Sequence, residues 1–252
     1  MKVAFFYLLF FIAYIKVGVA QDKADCIKWS QELLYAVRTD EPTDSLEKKL
    51  ELVSIEELTT QLKTDAERKA FWLNIYNAFT QISLIQNPDG YKKRNKFFGN
   101  KFIHIAGHII SLDLVEHGIL RRSKAKYSLG HFNKLFKSKF EKQFRVDRLD
   151  YRIHFALNCG AKSCPPIAFY KPEQIDKQLD IATKAYLKNE TLFNGKDLTV
   201  ELPAILNWFS GDFGGKKGII RLLHQQGIVP ENVKPGIQWK KYDWTLMLKA
   251  FE

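Results

Sequence analysis

The chain has 252 residues, and its composition of 46% hydrophobic, 13% aromatic and 27% charged residues is that of an ordinary globular protein. This composition excludes an intrinsically disordered chain, a collagen-like chain and a small disulfide scaffold. The formal net charge of +11 favours anionic neighbours through a long-range field.

The N-terminus has the pattern of a secretory signal. Lys2 precedes an apolar run over residues 3–15, and Gly18 and Ala20 are the short side chains that a signal peptidase accepts before its cleavage point. The run is too short to cross a hydrocarbon layer of about 30 Å as a helix, so no transmembrane anchor is expected. We therefore predict a signal peptide over residues 1–20 and a secreted or periplasmic protein.

The basic residues predict the kind of partner only broadly. For an exported protein, envelope polymers and lipid headgroups are better anionic partners than nucleic acid. Runs of scattered basic residues of this kind are typical of solvated faces. Two such runs are Lys92, Lys93, Arg94 and Lys96, and Lys134, Lys137, Lys139 and Lys142.

Residues 21–252 contain no repeat, low-complexity tract or linker, which predicts one globular domain. Hydrophobic periodicity and turn signals predict elements in a mixed order. In chain order these are helices at 26–37, 45–53 and 66–85, strands at 101–105 and 108–112, helices at 113–121 and 132–144, a strand at 151–159, a helix at 172–188, a strand at 198–202, helices at 204–209 and 217–226, and a strand at 237–244. The fold class expected from this irregular alternation is α+β, with helices packed on a small, mostly antiparallel sheet.

Four blocks of the chain resemble a known family. They are AFWLNIYNA at 70–78, SLDLVEHGILR at 111–121, RIHFALNCGAKSCPP at 152–166 and YDW at 242–244. In this order they are similar to the domain of unknown function 547, a family of bacteria and plants without a firmly assigned reaction. Plant relatives often keep the cysteine corresponding to Cys159 but commonly have serine in place of Cys164. The resemblance therefore implies that Cys159 is the better candidate nucleophile.

The strand predicted at 151–159 determines which base could activate Cys159. By strand alternation Cys159 shares a face with Leu157, whereas His154 points to the opposite face. A base must then come from another segment, unless the chain turns at Asn158, and His117 is the first candidate by motif. The further candidates are His104, His108 and His131.

Polar residues inside apolar elements are further site candidates. Asn74 and Asn77 share one face of the helix at 66–85, where they could orient a histidine, hold an oxyanion or bond a neighbouring element in the core. Asp113 and Glu116 have the spacing of a capping box, with Asp113 as N-cap, which competes with a catalytic role for Glu116. We predict one cleft lined by these asparagines together with His117, His154 and Cys159.

Three cysteines follow the predicted signal: Cys26, Cys159 and Cys164. An oxidising compartment permits one disulfide among them, and we expect Cys159 to remain a free thiol. The spacing of Cys159 and Cys164 fits neither a redox motif nor a zinc site, so neither a metal nor another cofactor is expected.

Two functions remain open at this point. The first is a cysteine-dependent hydrolase or acyltransferase that acts on an amide or ester, with a site similar to papain-like and transglutaminase-like sites. The second is a non-catalytic envelope module that binds an anionic polymer or a protein through its basic surface and exposed aromatics such as Trp208, Trp239 and Trp244. Neither reading identifies the substrate, the envelope partner or the oligomeric state.

Overall fold

The computed structural model describes residues 24–252, so the predicted signal peptide at 1–20 lies outside the described residues. The α-helices are α1 Cys26–Thr39, α2 Asp44–Leu52, α3 Ile55–Gln61, α4 Asp65–Gln86, α5 Arg94–Gly99, α6 Lys139–Phe144, α7 Ile175–Glu190, α8 Ala204–Trp208 and α9 Gly215–Gln225. The strands are β1 Lys101–Ile105, β2 His108–Ser111, β3 Leu192–Asn194, β4 Thr199–Leu202 and β5 Gly236–Trp239. Tighter or wider helical turns occur at Pro88–Lys93, Leu114–Leu120, Tyr151–Phe155 and Pro172–Gln174.

Helix α4 is the centre of the main core. Its N-terminus is a capping box, because Thr64 and Glu67 each accept a hydrogen bond from the other's backbone N–H. Most residues from Lys69 to Leu84 are buried, on every side of the helix, and α1 packs along it. A helix that is apolar on all sides must be enclosed by other elements, so α4 becomes the scaffold for the loops around it.

The strands form two small sheets. β1 and β2 are an antiparallel hairpin, and the turn at Ala106 and Gly107 has positive φ at both positions, as a two-residue hairpin turn requires. In the second sheet β4 lies between β3, which is antiparallel to it, and β5, which is parallel. The predicted α+β class is confirmed.

The strand predicted at 151–159 is wrong. Residues Tyr151–Phe155 form a 3-10 helix, whose start is capped by the Asp150 carboxylate as it accepts a hydrogen bond from the Arg152 backbone N–H. The same carboxylate pairs with Lys69 at 2.9 Å, which ties the turn to α4. These polar contacts outweigh the β-rich composition, and the alternation that separated His154 from Cys159 does not exist.

Two other predicted elements are shorter than expected. The helix at 132–144 forms only from Lys139, where Ser138 caps it by accepting from the Glu141 backbone N–H. The last strand ends at Trp239 instead of residue 244. In the part of the chain that the structure describes, no helix is long and apolar enough to cross a membrane.

Candidate functional site

A cavity of about 820 Å³ opens between the π-helix Leu114–Leu120, the loop after the Tyr151–Phe155 turn and the C-terminal segment. Its lining includes both polar groups and aromatic rings. Among the lining residues are Tyr76, Arg94, Asp113, Glu116, His117, Lys126, Tyr127, Leu129, His154, Cys159, Cys164, Trp208, Phe209, Tyr242 and Trp244.

Arg121, at the end of the π-helix, has a fully buried guanidinium that joins polar side chains beside the cavity. Its Nε donates to Asp212 Oδ2 at 2.6 Å, and its Nη1 donates to His117 Nδ1 at 2.9 Å. Because Nδ1 of His117 accepts this bond, the ring carries its proton on Nε2. Burial, and then the positive charge of Arg121, hold the pKa of His117 well below its ordinary value. His117 is therefore a neutral imidazole whose Nδ1 is already occupied.

His154 and Asp212 form a second hydrogen-bonded pair beside the first. His154 Nε2 donates to Asp212 Oδ2 at 2.8 Å, and the imidazole stacks on Phe209 with ring centres 4.0 Å apart. Burial opposes ionisation of Asp212, but hydrogen bonds from His154 and Arg121 outweigh it and lower the pKa of the carboxyl. Burial lowers the pKa of His154 to about 4, against the raising effect of Asp212. At neutral pH His154 is thus an oriented, unprotonated base whose Nδ1 can accept a proton.

Glu116 lies between Tyr76 and His117. Its Oε2 accepts a hydrogen bond from the Tyr76 hydroxyl at 3.3 Å, and its Oε1 is 3.4 Å from His117 Nδ1. Burial raises the pKa of Glu116 to about 7, even though Arg121 acts in the opposite direction. A carboxyl with this pKa can give or take a proton near neutrality.

The predicted capping box of Asp113 and Glu116 is wrong. Asp113 is itself helical and makes no side-chain cap, because the segment winds into a wider π-helix whose start lies at Leu114. The Asp113 carboxylate instead accepts a hydrogen bond from Lys126 Nζ at 2.7 Å. Glu116 is thereby released toward the cavity.

Cys159 and Cys164 form a disulfide on the cavity wall, so the expectation of a free Cys159 thiol is wrong. Gly160, at φ +84°, turns the chain back and brings the two Cα atoms to 6.2 Å. The Tyr242 hydroxyl lies 3.3 Å from Cys159 Sγ and 3.2 Å from Cys164 Sγ. Burial raises the pKa of Tyr242, so this hydroxyl keeps its proton and can donate to sulfur.

The predicted cleft residues are only partly brought together. His117, His154 and Cys159 all line the cavity. Among residues 24–252, neither imidazole hydrogen-bonds a cysteine sulfur, and their ring nitrogens contact Arg121 and Asp212 instead. Of the further candidate histidines, His104 faces Glu51, His108 contacts the Ala106 carbonyl and His131 is exposed. None of these three lines the cavity.

Asn74 and Asn77 are fully buried and lie outside the cavity lining. Asn74 exchanges two hydrogen bonds with the Tyr170 backbone. Asn77 donates to the Ala156 carbonyl at 3.0 Å and accepts from the Asn158 N–H at 2.9 Å. Through these bonds the two amides hold the loops on either side of the disulfide against α4.

We expect Asn77→Ala to lower the free energy of unfolding by about 3 kcal/mol, because it leaves two buried backbone groups without partners. The exposed Asn207→Ala is the matched control and should change stability by less than about 0.5 kcal/mol. Urea denaturation followed by circular dichroism measures both. Equal stability of the two variants would show that the loop does not depend on this amide.

The comparison with family models decides the family. The model described as "Protein of unknown function, DUF547" matches residues 59–187, slightly more than half of the chain. The chain belongs to the DUF547 family. No curated protein and no solved structure matches it.

The DUF547 match covers α4, the π-helix and the disulfide, but two residues of the cavity network lie beyond it. Asp212 and Tyr242 follow the matched range, and together with Arg121 they were missing from the predicted site. Each had a signal in the sequence. Arg121 ends the SLDLVEHGILR block directly after the apolar Ile119 and Leu120, Asp212 stands in the glycine-rich SGDFGG, and Tyr242 belongs to the YDW block.

Within residues 24–252, no group of three or more histidine, cysteine, aspartate or glutamate side chains is arranged to hold a metal ion.

Proposed function

We propose that the cavity is the active site of a thiol-dependent hydrolase or acyltransferase for an amide or ester, and that the disulfide keeps it latent. One observation carries this proposal: Cys159 lines the same cavity as His154, and Asp212 orients the His154 ring. A sulfur nucleophile, an imidazole base and a carboxylate that orients the base are the three parts of cysteine-dependent acyl transfer. The buried Asp212 carboxylate also stabilises the imidazolium that forms during the reaction.

The chemistry begins with reduction of the disulfide by a small or protein dithiol, which is oxidised in turn. His154 Nδ1 then accepts the proton of the Cys159 thiol, and the sulfur attacks the substrate carbonyl carbon. The imidazolium returns this proton to the leaving amine or alcohol as the carbon–heteroatom bond breaks, which leaves a thioester on Cys159. Water or an acceptor amine or alcohol, deprotonated by His154, attacks the thioester and releases the thiol.

Tyr242 supports the step at sulfur. Its protonated hydroxyl lies within hydrogen-bond distance of Cys159 Sγ, and a donor at that point stabilises a thiolate. The same hydroxyl contacts Cys164, so geometry alone does not distinguish the two sulfurs. The family resemblance favours Cys159, since plant relatives commonly have serine at the position of Cys164.

The test compares turnover of p-nitrophenyl esters and peptide p-nitroanilides by three forms of the protein. We expect Cys164→Ser to be active without reductant, the wild type to be active only with reductant, and Cys159→Ser to be inactive in both conditions. Activity that survives Cys159→Ser would assign the chemistry to other groups, such as Glu116. Inactivity of all three forms toward both substrate classes would contradict the proposal.

The alternative is a non-catalytic module that binds an anionic ligand in the same cavity. It is favoured by a packed aromatic cluster in the cavity lining, where Trp208 and Trp244 stack with ring centres 5.5 Å apart and both contact Tyr242. The Arg94 guanidinium lies 4.4 Å from the centre of the Trp244 ring. Trp208 and Trp244 are half-buried in this cluster, whereas Trp239 is exposed on β5. Ligand retention by Cys159→Ser would favour this reading.

We further propose that the protein is exported, with cleavage after Ala20. The pattern of residues 2–20 supports export, and so does the disulfide, because disulfides persist in oxidising compartments. Intact-mass analysis of protein recovered from outside the cytoplasm is expected to give a chain that starts at Gln21. A mature product that retains residues 1–20 would contradict this proposal.

A further inference from the structure

A group of large apolar side chains is exposed on the segment between the π-helix and α6. Leu135 and Phe136 are almost fully exposed, at 89% and 91%. Each other member of the group has at least half of that exposure. The group consists of Tyr127, Leu129, Phe132, Leu135 and Phe136. Five exposed apolar side chains within ten positions of the chain are a concentration of the kind that marks an interaction site.

The segment that carries them is an ordered structure anchored beside the cavity. The Ala125 N–H donates to the Phe132 carbonyl at 3.0 Å, and the Gly211 N–H donates to the Leu129 carbonyl at 2.7 Å. Gly130 has φ +85°, and a side chain there would collide with Asp212. The segment is thus held in place against the carboxylate that orients His154.

The same segment is strongly basic. Residues 122–142, which include that segment and the first residues of α6 and which we call the basic apolar segment, contain seven lysine and arginine residues and one acid, Glu141, which is buried. Lys126 pairs with Asp113 and Lys134 with Glu141. The other five form no ion pair with any residue of the described chain: Arg122, Lys124, Lys137, Lys139 and Lys142.

We propose that the basic apolar segment docks the protein on an anionic lipid bilayer, with its exposed aromatic and leucine side chains inserted at the headgroup level. The combination of side chains favours a lipid bilayer over a protein as the partner. Protein interfaces are depleted in lysine, whereas segments that lie in the membrane interface combine lysine with phenylalanine, leucine and tyrosine. Positive charge attracts the segment to anionic headgroups, and the apolar side chains bury themselves among the lipids.

Docking has a consequence for the cavity. Lys126, Tyr127 and Leu129 belong both to the basic apolar segment and to the cavity lining. A segment inserted at the headgroup level therefore holds this part of the cavity lining at the membrane surface. The inference does not depend on the proposed acyl transfer, because the exposed segment and its charge are independent of the cysteine.

Vesicle sedimentation tests the inference with the full-length chain. The probes are phosphatidylcholine vesicles with and without phosphatidylglycerol, each at low and at high salt. We expect binding only to the vesicles that contain phosphatidylglycerol, weakened by salt because the attraction is partly electrostatic. Leu135→Ser/Phe136→Ser is expected to weaken this binding at least about tenfold, since it removes the two most exposed apolar side chains.

The control variant is Leu52→Ser/Leu192→Ser, which removes two leucines that are also mostly exposed but lie outside the segment. It should bind as the wild type does. A charge variant, Lys137→Glu/Lys139→Glu, should weaken binding to anionic vesicles without changing the apolar patch. Circular dichroism confirms that each variant is folded.

Three outcomes would overturn the inference. They are absence of wild-type binding to anionic vesicles, equal binding by the Leu135→Ser/Phe136→Ser variant, and equal binding to vesicles without phosphatidylglycerol. Light scattering measures the oligomeric state and tests whether the patch instead joins two copies of the chain. A wild-type dimer that the same variant converts to a monomer would assign the patch to contact between two copies of the chain.

Discussion

Replacement of Arg121 by methionine is expected to lower the free energy of unfolding by about 3 to 5 kcal/mol, the usual cost of removing one partner of a buried ion pair. The guanidinium is completely buried, and it donates to both Asp212 and His117. Without it, Asp212 keeps only the hydrogen bond from His154, and the Nδ1 of His117 loses its donor. Thermal and urea denaturation measure the loss.

The adjacent Arg122 provides the matched control, because it is exposed and forms no ion pair with the described residues. Arg122→Met should change stability by less than about 0.5 kcal/mol. Similar stability losses in both variants would mean that the buried network does not hold the π-helix to the Asp212 loop.

Replacement of Glu116 by glutamine is expected to make the protein more stable than the wild type at alkaline pH. The folded-state pKa of Glu116 is raised to about 7 by burial, so its contribution to stability is complete below the ordinary value of 4.5 and is lost as the pH rises through 7. A pKa shift of this size corresponds to a decrease in the free energy of unfolding on the order of 3 kcal/mol. Glutamine has no such proton to lose and can still accept the hydrogen bond from Tyr76.

The measurement is urea denaturation of the wild type and Glu116→Gln at pH 5 and pH 8. His154 titrates in an overlapping window with the opposite sign: its folded pKa of about 4 lies below the ordinary 6.5, so its contribution is lost as the pH falls. Both proteins share this effect, and their difference isolates Glu116. A difference that does not grow from pH 5 to pH 8 would mean that Glu116 ionises normally.

Most helices could be predicted from hydrophobic periodicity, since burial of an apolar stripe is a local property of the sequence. The helix predicted at 66–85 is Asp65–Gln86, and the predicted hairpin is β1 and β2. The strand predicted at 151–159 failed because Asp150 caps a turn there and pairs with Lys69, which is 81 positions away in the chain. Such a long-range pair leaves no periodic signal.

The candidate site could be predicted by residue type but not by arrangement. His117, His154, Glu116 and Cys159 do line one cavity. The disulfide and the His154–Asp212 pair depend on how separate segments meet, which spacing does not reveal. The two asparagines share a helix face as predicted, but their side chains hydrogen-bond to loop backbone. Asparagines with this spacing on a helix are compatible with a role in the site or with a role in the core, so the pattern does not choose between the two.

If His154 activates Cys159 once the disulfide is open, the rate of Cys159 alkylation by iodoacetamide must depend on His154, and this rate is the most direct measure of the proposed activation. In Cys164→Ser the serine hydroxyl can still accept the bond that the Cys159 N–H donates to Cys164 Sγ, so the loop is retained while Cys159 is freed. The comparison variant is Cys164→Ser/His154→Gln, in which the glutamine amide can still donate to Asp212.

Cys26 is the internal reference in both proteins, because it is buried and its pKa is raised to about 12 by burial and by the neighbouring Asp25. We expect Cys159 in Cys164→Ser to react at neutral pH about a hundredfold faster than in the double variant, as loss of a general base requires. Mass spectrometry of the labelled peptides gives each rate. Equal rates for Cys159 in the two proteins would show that His154 does not activate Cys159.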